Sequence, residues 1–236
     1  MSVVANNRRT PLDGLELCID FANPKCYAGS GTLVKNLGPR SDVEFQLQGE
    51  AVFTDGAVRF NGTDTLMELG PPLVVAEYMT NPSSDISGIV LMRPRAIGTD
   101  QAIISQRIGI GLSFFLADSG QLAFRLDDSN NMLSDVTLVN DTWYTLGFTL
   151  KQGSPQSVQL VKLFVNGVKS FDGVSSDTSG YNDNLLWLGW QARTDYNPIP
   201  GLLNADLSAA LLWRTLRSEE EMLDLHRQFG RRVGLV

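Results

Sequence analysis

Three groups of residues have the types and spacing that chemistry requires. The first is the pair Cys18 and Cys26 in the stretch CIDFANPKCYAGSG, whose loop opens at Asn23-Pro24 and closes at Gly29-Ser30-Gly31. Two thiols cannot complete a tetrahedral zinc site, His226 is the one histidine of the chain, and neither a Cys-x-x-Cys nor a His-Glu-x-x-His spacing occurs. A disulfide between the two cysteines is sterically conceivable. The amino terminus carries no apolar leader stretch, however, which predicts synthesis in a reducing cytoplasm and free thiols. A nucleophilic cysteine would need a base or a helix N-terminus to lower its pKa, and no histidine stands near either one.

The second group is Trp190 with the loop that follows it. Trp190, Arg193, Asp195, Tyr196 and Asn197 gather an aromatic face and polar side chains, which is how a protein holds a sugar ring. The same loop reads equally as a contact with a neighbouring subunit. The third group is acidic: Asp127-Asp128 fits a turn, and Glu219-Glu220-Glu221 fits the first turn of a helix. A serine triad would need His226 as its base, and that residue belongs to the terminal helix, far in sequence from any strand-borne serine. No glycine-rich phosphate cradle precedes a helix. The chain therefore reads as a protein without catalytic groups.

The elements that must position these residues are strands. The chain has 236 residues, 43% of them hydrophobic, enough to fill one large core, and its 22 Gly and 10 Pro are spread along its length as short strands and tight turns require. Leu15, Leu17, Ile19 and Phe21 alternate with Glu16, Cys18 and Asp20, the period of a strand with one apolar face. Asn61-Gly62 predicts a type I′ hairpin between Val58–Phe60 and Leu66–Leu69, and Asn166-Gly167 predicts another. Residues 86–92 and 102–104 are apolar on both faces, as in the middle of a sandwich. Residues 112–116 and 122–126 form a further hairpin pattern, and 143–150, 158–165, 185–190 and 203–213 complete about ten to fourteen strands. Trp143, Trp187 and Trp213 read as core, while Trp190 alternates to the face opposite Trp187. A single helix is signalled by the capping pair Ser218 and Glu221, with Met222, Leu225 and Phe229 on one face and Gly230 at its end. Arg227, Arg231 and Arg232 read as solvated cations complementing its dipole, with an acidic partner as the alternative. Residues 1–10 read as a polar arm and 11–236 as one domain. A net charge of −7 argues against nucleic acid, and no apolar run reaches membrane-spanning length.

Four stretches resemble the concanavalin A-like, laminin-G-like jelly-roll domains of bacteriophage structural proteins and bacterial surface proteins. They are LELCIDFANPKCYAGSGTLVKNLG (15–38), AVRFNGTDTLMELG (57–70), VNDTWYTLGFTLKQG with VKLFVNGVKSF (139–171), and ADLSAALLWRTLRSEEEMLDLH (205–226). The resemblance implies an all-β fold, a two-sheet antiparallel jelly-roll sandwich with one short C-terminal helix. Hydrolases of this fold carry paired carboxylates on alternate positions of a strand, and no such pattern occurs here. Relatives also bind calcium through loop Asx residues, which makes Asp64, Asp127, Asp128 and Asp183 candidate ligands, although Asx residues also build turns without any metal. The implied function is a non-enzymatic virion protein, a capsid decoration or cement protein or a small fibre or tail component, partnered by other virion subunits or by copies of itself. A carbohydrate-binding module for host glycans is the alternative.

Overall fold

In the computed structural model the described residues are 4–5, 8–39, 41, 43–69, 85–106, 112–126, 131–152, 159–175, 186–190 and 201–236. The β-branched and aromatic residues that alternate along the chain pair into two antiparallel sheets of eight strands each. Their elements, in chain order, begin with the small hairpin β1 (Val4–Ala5) and β2 (Arg8–Arg9), which pair with each other. There follow β3 (Leu15–Asp20), β4 (Leu33–Lys35), β5 (Glu44–Gln48), β6 (Val52–Thr54), β7 (Ala57–Asn61), β8 (Leu66–Glu68) and β9 (Ile86–Pro94). The middle of the chain gives β10 (Gln101–Gln106), β11 (Leu112–Leu116), β12 (Gln121–Leu126), β13 (Met132–Thr137) and β14 (Tyr144–Gln152). The set closes with β15 (Gln159–Val165), β16 (Val168–Ser175), β17 (Leu186–Leu188), β18 (Asn204–Trp213), the helix α1 (Glu219–Gly230) and one 3-10 turn, Arg231–Val233.

One sheet runs β13-β12-β11-β10-β17-β8-β5-β4 and is called the front sheet; the other, the back sheet, runs β16-β15-β14-β9-β18-β7-β6, with β3 also paired to β18. The apolar residues between the sheets form the main core, in which Phe114, Phe124 and Phe148 meet at ring centroid separations of 4.9 and 5.1 Å. The strands apolar on both faces, β9 and β10, lie inside their sheets as the pattern requires.

The back sheet has a third layer. Ser218 accepts from the Glu221 amide while the Glu221 carboxylate accepts from the Ser218 amide, so the predicted capping box starts α1. Met222, Leu225 and Phe229 then cover Ile89, Leu91, Phe164, Leu211 and Trp213 on the face of the back sheet turned away from the main core. Gly230 is the last residue of α1, as expected. The backbone continues through the 3-10 turn and breaks at Gly234, whose φ of 75° lies in the left-handed region. Arg231 and Arg232 were expected as solvated cations, but Arg232 donates to both oxygens of the buried Asp20 at 2.7 and 3.0 Å.

The turn at Asn61-Gly62 also departs from expectation. It joins β7 of the back sheet to β8 of the front sheet and therefore closes no hairpin. The reason is local. Asn61 keeps a negative φ, so no type I′ turn forms there, and its side-chain oxygen accepts from the amides of Thr63, Asp64 and Thr65, bending the chain out of the sheet. At Asn166-Gly167 both residues have positive φ, 51° and 75°, and the hairpin between β15 and β16 forms as predicted.

Candidate recognition face on the front sheet

In the front sheet, Leu186 and Leu188 of β17 point into the main core, so Trp187 between them points to the opposite face. The same alternation places Ser105, Ser113, Arg125, Glu68 and Gln46 on that outer face. Cross-strand register then aligns them. Arg125 faces Ser113, Ser113 faces Ser105, Ser105 faces Trp187, Trp187 faces Glu68 and Glu68 faces Gln46. Six adjacent strands thus present one transverse row, about 24 Å long at the usual strand spacing.

The row is graded from buried to open. Arg125, Ser113, Ser105 and Trp187 are buried, Glu68 is half-buried, and Gln46 is exposed. Thr32 donates to the Gln46 side-chain oxygen at 3.1 Å at the open end. Along the buried end, Phe115 packs with Ala117 and Ala123, and the Arg125 guanidinium lies 5.4 Å from the centre of the Phe115 ring. At the centre the indoles of Trp187 and Trp190 meet edge to face, 4.6 Å apart, and the Ser105 hydroxyl donates to the Trp190 carbonyl at 2.5 Å. Trp187 was read from sequence as core; it is buried as expected, but on the outer face, where it packs against Trp190. Among the described residues its buried Nε1 donor has no hydrogen-bond partner. An unmet buried donor costs about 1–3 kcal/mol, so the site holds a standing preference for an acceptor oxygen.

Of the residues expected to bind a glycan or partner, Trp190 lies on this face; Arg193, Asp195, Tyr196 and Asn197 fall outside the described residues. So do Asp127, Asp128 and Asp183 among the calcium candidates. Asp64 is described, and its Oδ1 accepts from the Asn61 side chain, the Glu50 amide and the Thr65 hydroxyl. Those bonds, led by the one from Asn61, hold its carboxyl below the usual carboxylate range. Among the described residues no three His, Cys, Asp or Glu side chains are grouped to hold a metal ion. Both cysteines are free and buried; burial pushes the Cys18 thiol up to about 12 and the Cys26 thiol to about 11. The sequence offered little signal for the row, because serines, glutamate and arginine at alternate strand positions look like an ordinary polar face until register aligns them.

Residues 71–221 match a laminin-G-like family model described as the concanavalin A-like lectin/glucanases superfamily. The chain belongs to this superfamily. Solved structures share the fold at low identity. Domain 4 of AbnA, an extracellular arabinanase from Geobacillus stearothermophilus solved with arabinotriose, is 18% identical, with 92% of this chain and 100% of that one covered and a TM-score of 0.60. The binding domain of Paraclostridial Mosquitocidal Protein 1 is 14% identical, with 92% and 52% covered and a TM-score of 0.67. Trypanosoma rangeli sialidase, solved with sialic acid, is 11% identical over 98% of this chain and 36% of that one, with a TM-score of 0.67. This concanavalin A-like chain thus spans all of the first, about half of the second and about a third of the third. No curated protein matches its sequence. Among the described residues, no helix is long and apolar enough to cross a membrane.

Proposed function

We propose that this concanavalin A-like chain is a non-enzymatic binding component of a bacteriophage particle that reads a neutral glycan along the outer face of its front sheet. The observation that carries the glycan reading is the transverse row centred on Trp187, whose buried Nε1 donor has no partner among the described residues. A sugar supplies what the row lacks. Its hydroxyl and ring oxygens accept from the indole, its hydroxyls donate to Glu68 and Gln46, and its apolar ring face packs on tryptophan. A structural neighbour solved with arabinotriose supports this reading. The virion assignment is supported by the resemblance of residues 15–38, 57–70, 139–171 and 205–226 to bacteriophage structural proteins.

The non-enzymatic part rests on where the carboxylates of the described residues are. Asp20 and Asp206 are held by arginines on the back sheet. On the front face Glu68 has Trp187 and Gln46 as its direct cross-strand neighbours, and the diagonally placed Glu44 is paired with Lys35 at 3.4 Å. A glycan array run with calcium and with a chelator tests the proposal, with Trp187→Phe as the variant that keeps a ring and removes the N–H. The expected result is binding of neutral glycans in both conditions, about tenfold weaker in the variant, equivalent to about 1.4 kcal/mol. Absence of binding, or an unchanged affinity in Trp187→Phe, would remove the glycan reading, and release of reducing sugar from a bound glycan would remove the non-enzymatic one. The virion assignment fails separately if the purified protein does not co-sediment with particles assembled without it.

A further inference from the structure

The back sheet carries a second transverse row, at the ends of its strands beyond the patch covered by α1. Val52 faces Arg59, Arg59 faces Asp206 and Asp206 faces Arg93, all on the surface opposite the main core. The next position along is filled by Trp143, whose ring centre lies 5.0 Å from the Arg93 guanidinium. Arg95 joins from the end of β9, bonded to Asp206 and, at 2.5 Å, to Asp141. Three guanidiniums therefore face two carboxylates, a local positive excess in a chain whose net charge is −7.

The bonding is asymmetric. Asp206 is buried and accepts from Arg59 Nε at 2.9 Å, from Arg93 Nε and Nη2 at 3.0 and 2.6 Å, and from Arg95 Nε at 2.8 Å. Its carboxylate is filled. Among the described residues Arg59 bonds only through Nε, its side chain being 43% exposed, and neither of its terminal nitrogens nor Nη1 of Arg93 has a hydrogen-bond partner. Asp206 thereby fixes the stems of two arginines while their outer edges stay open, which removes much of the ordering cost of a guanidinium site.

We propose that this row is a docking surface for an acidic segment of a partner protein, one that presents two carboxylates between apolar residues. The spacing favours a polypeptide over a lone small anion. Arg59 and Arg93 sit on strands separated by β18, about 10 Å apart at the usual spacing, which two acidic side chains of one extended segment bridge and a single carboxylate does not. Val52, 51% exposed, and Trp143, half-buried, provide apolar contact at the two ends of the row. The surface lies on the sheet opposite the proposed glycan face and does not depend on it.

Fluorescence anisotropy with a labelled heptapeptide alternating glutamate and leucine, and with its glutamine counterpart, tests the proposal on the full chain. The expected result is binding of the glutamate peptide alone, weakening as salt rises, with at least a tenfold loss in Arg59→Gln and a smaller loss in Arg59→Lys, which keeps the charge without the fork. Thermal melts of both variants should match the parent, because Arg59 is exposed and Asp206 keeps its other two arginines. Equal binding of the glutamine peptide, no binding of the glutamate peptide, or binding unchanged in Arg59→Gln overturns the proposal. Binding of glucuronate or inorganic phosphate, measured directly by calorimetry, in the absence of any peptide affinity overturns it as well, in favour of a small-anion site.

Discussion

Arg232 and Asp20 form a two-bond ion pair, 2.7 and 3.0 Å long, that ties the turn after α1 to the strand opening the sandwich. Asp20 is almost fully buried, whereas the Arg232 side chain keeps 21% of its exposure and lies against the Phe229 ring. The pair locks the third layer onto the back sheet. Removing only the arginine leaves a buried carboxylate unmatched, so Arg232→Ala should destabilise the protein by about 3 kcal/mol. Asp20→Asn with Arg232→Met should recover most of that loss, and urea denaturation midpoints of the three proteins measure both effects.

His226 supplies a pH dependence. Its Nδ1 lies 2.8 Å from the Thr145 hydroxyl in a buried contact between α1 and β14. Burial first, and the neighbouring Arg227 charge second, lower its pKa from the ordinary 6.5. The unfolded chain then binds the proton more readily than the folded one, so the contribution is complete above about pH 6.5 and shrinks as the pH falls below it. The difference in unfolding free energy between the parent and His226→Gln should therefore be constant from pH 7 to 8 and narrow toward pH 5. A difference that widens on acidification contradicts this account.

The two thiols should be silent in the folded state. With Cys18 raised to about 12 and Cys26 to about 11 by burial, almost no thiolate exists at pH 8. Ellman's reagent at that pH should label neither cysteine on the timescale of minutes and should label both at once when guanidinium is added. Rapid labelling of Cys26 in native buffer would show an open loop there.

Gly147 carries the contact between helix and sheet. A Cβ at this position of β14 would run into the Met222 Cε, since the helix rests directly on the backbone there. Gly147→Ala should cost about 1–3 kcal/mol through overpacking. Combining it with Met222→Ala should cost less than the sum of the two single changes, and a double-mutant cycle by chemical denaturation measures the coupling.

Much of the scaffold was legible in the residues themselves. Alternation over Leu15–Phe21, the two-sided apolar run of β9, the Asn166-Gly167 turn and the Ser218–Glu221 capping box are local patterns, and each element formed where its pattern lay. The Asn61-Gly62 turn was misread because the dipeptide is compatible with several turns. What chose among them was the bonding of the Asn61 side chain, together with pairing partners distant in the chain, Asn204 for Asn61 and Gln48 for Leu66.

The sequence by itself determined an acidic, strand-rich chain of jelly-roll type, with a capped terminal helix and two cysteines placed without partners for chemistry. It did so because strand period, turn chemistry and capping act over a few residues. Tertiary structure alone decided which polar side chains become neighbours. Arg125, Ser105, Trp187 and Glu68 form a row, and Arg59, Asp206 and Arg93 form another, because cross-strand register is set by packing across the whole sandwich. Register brings side chains from strands more than a hundred residues apart within 5 Å of one another.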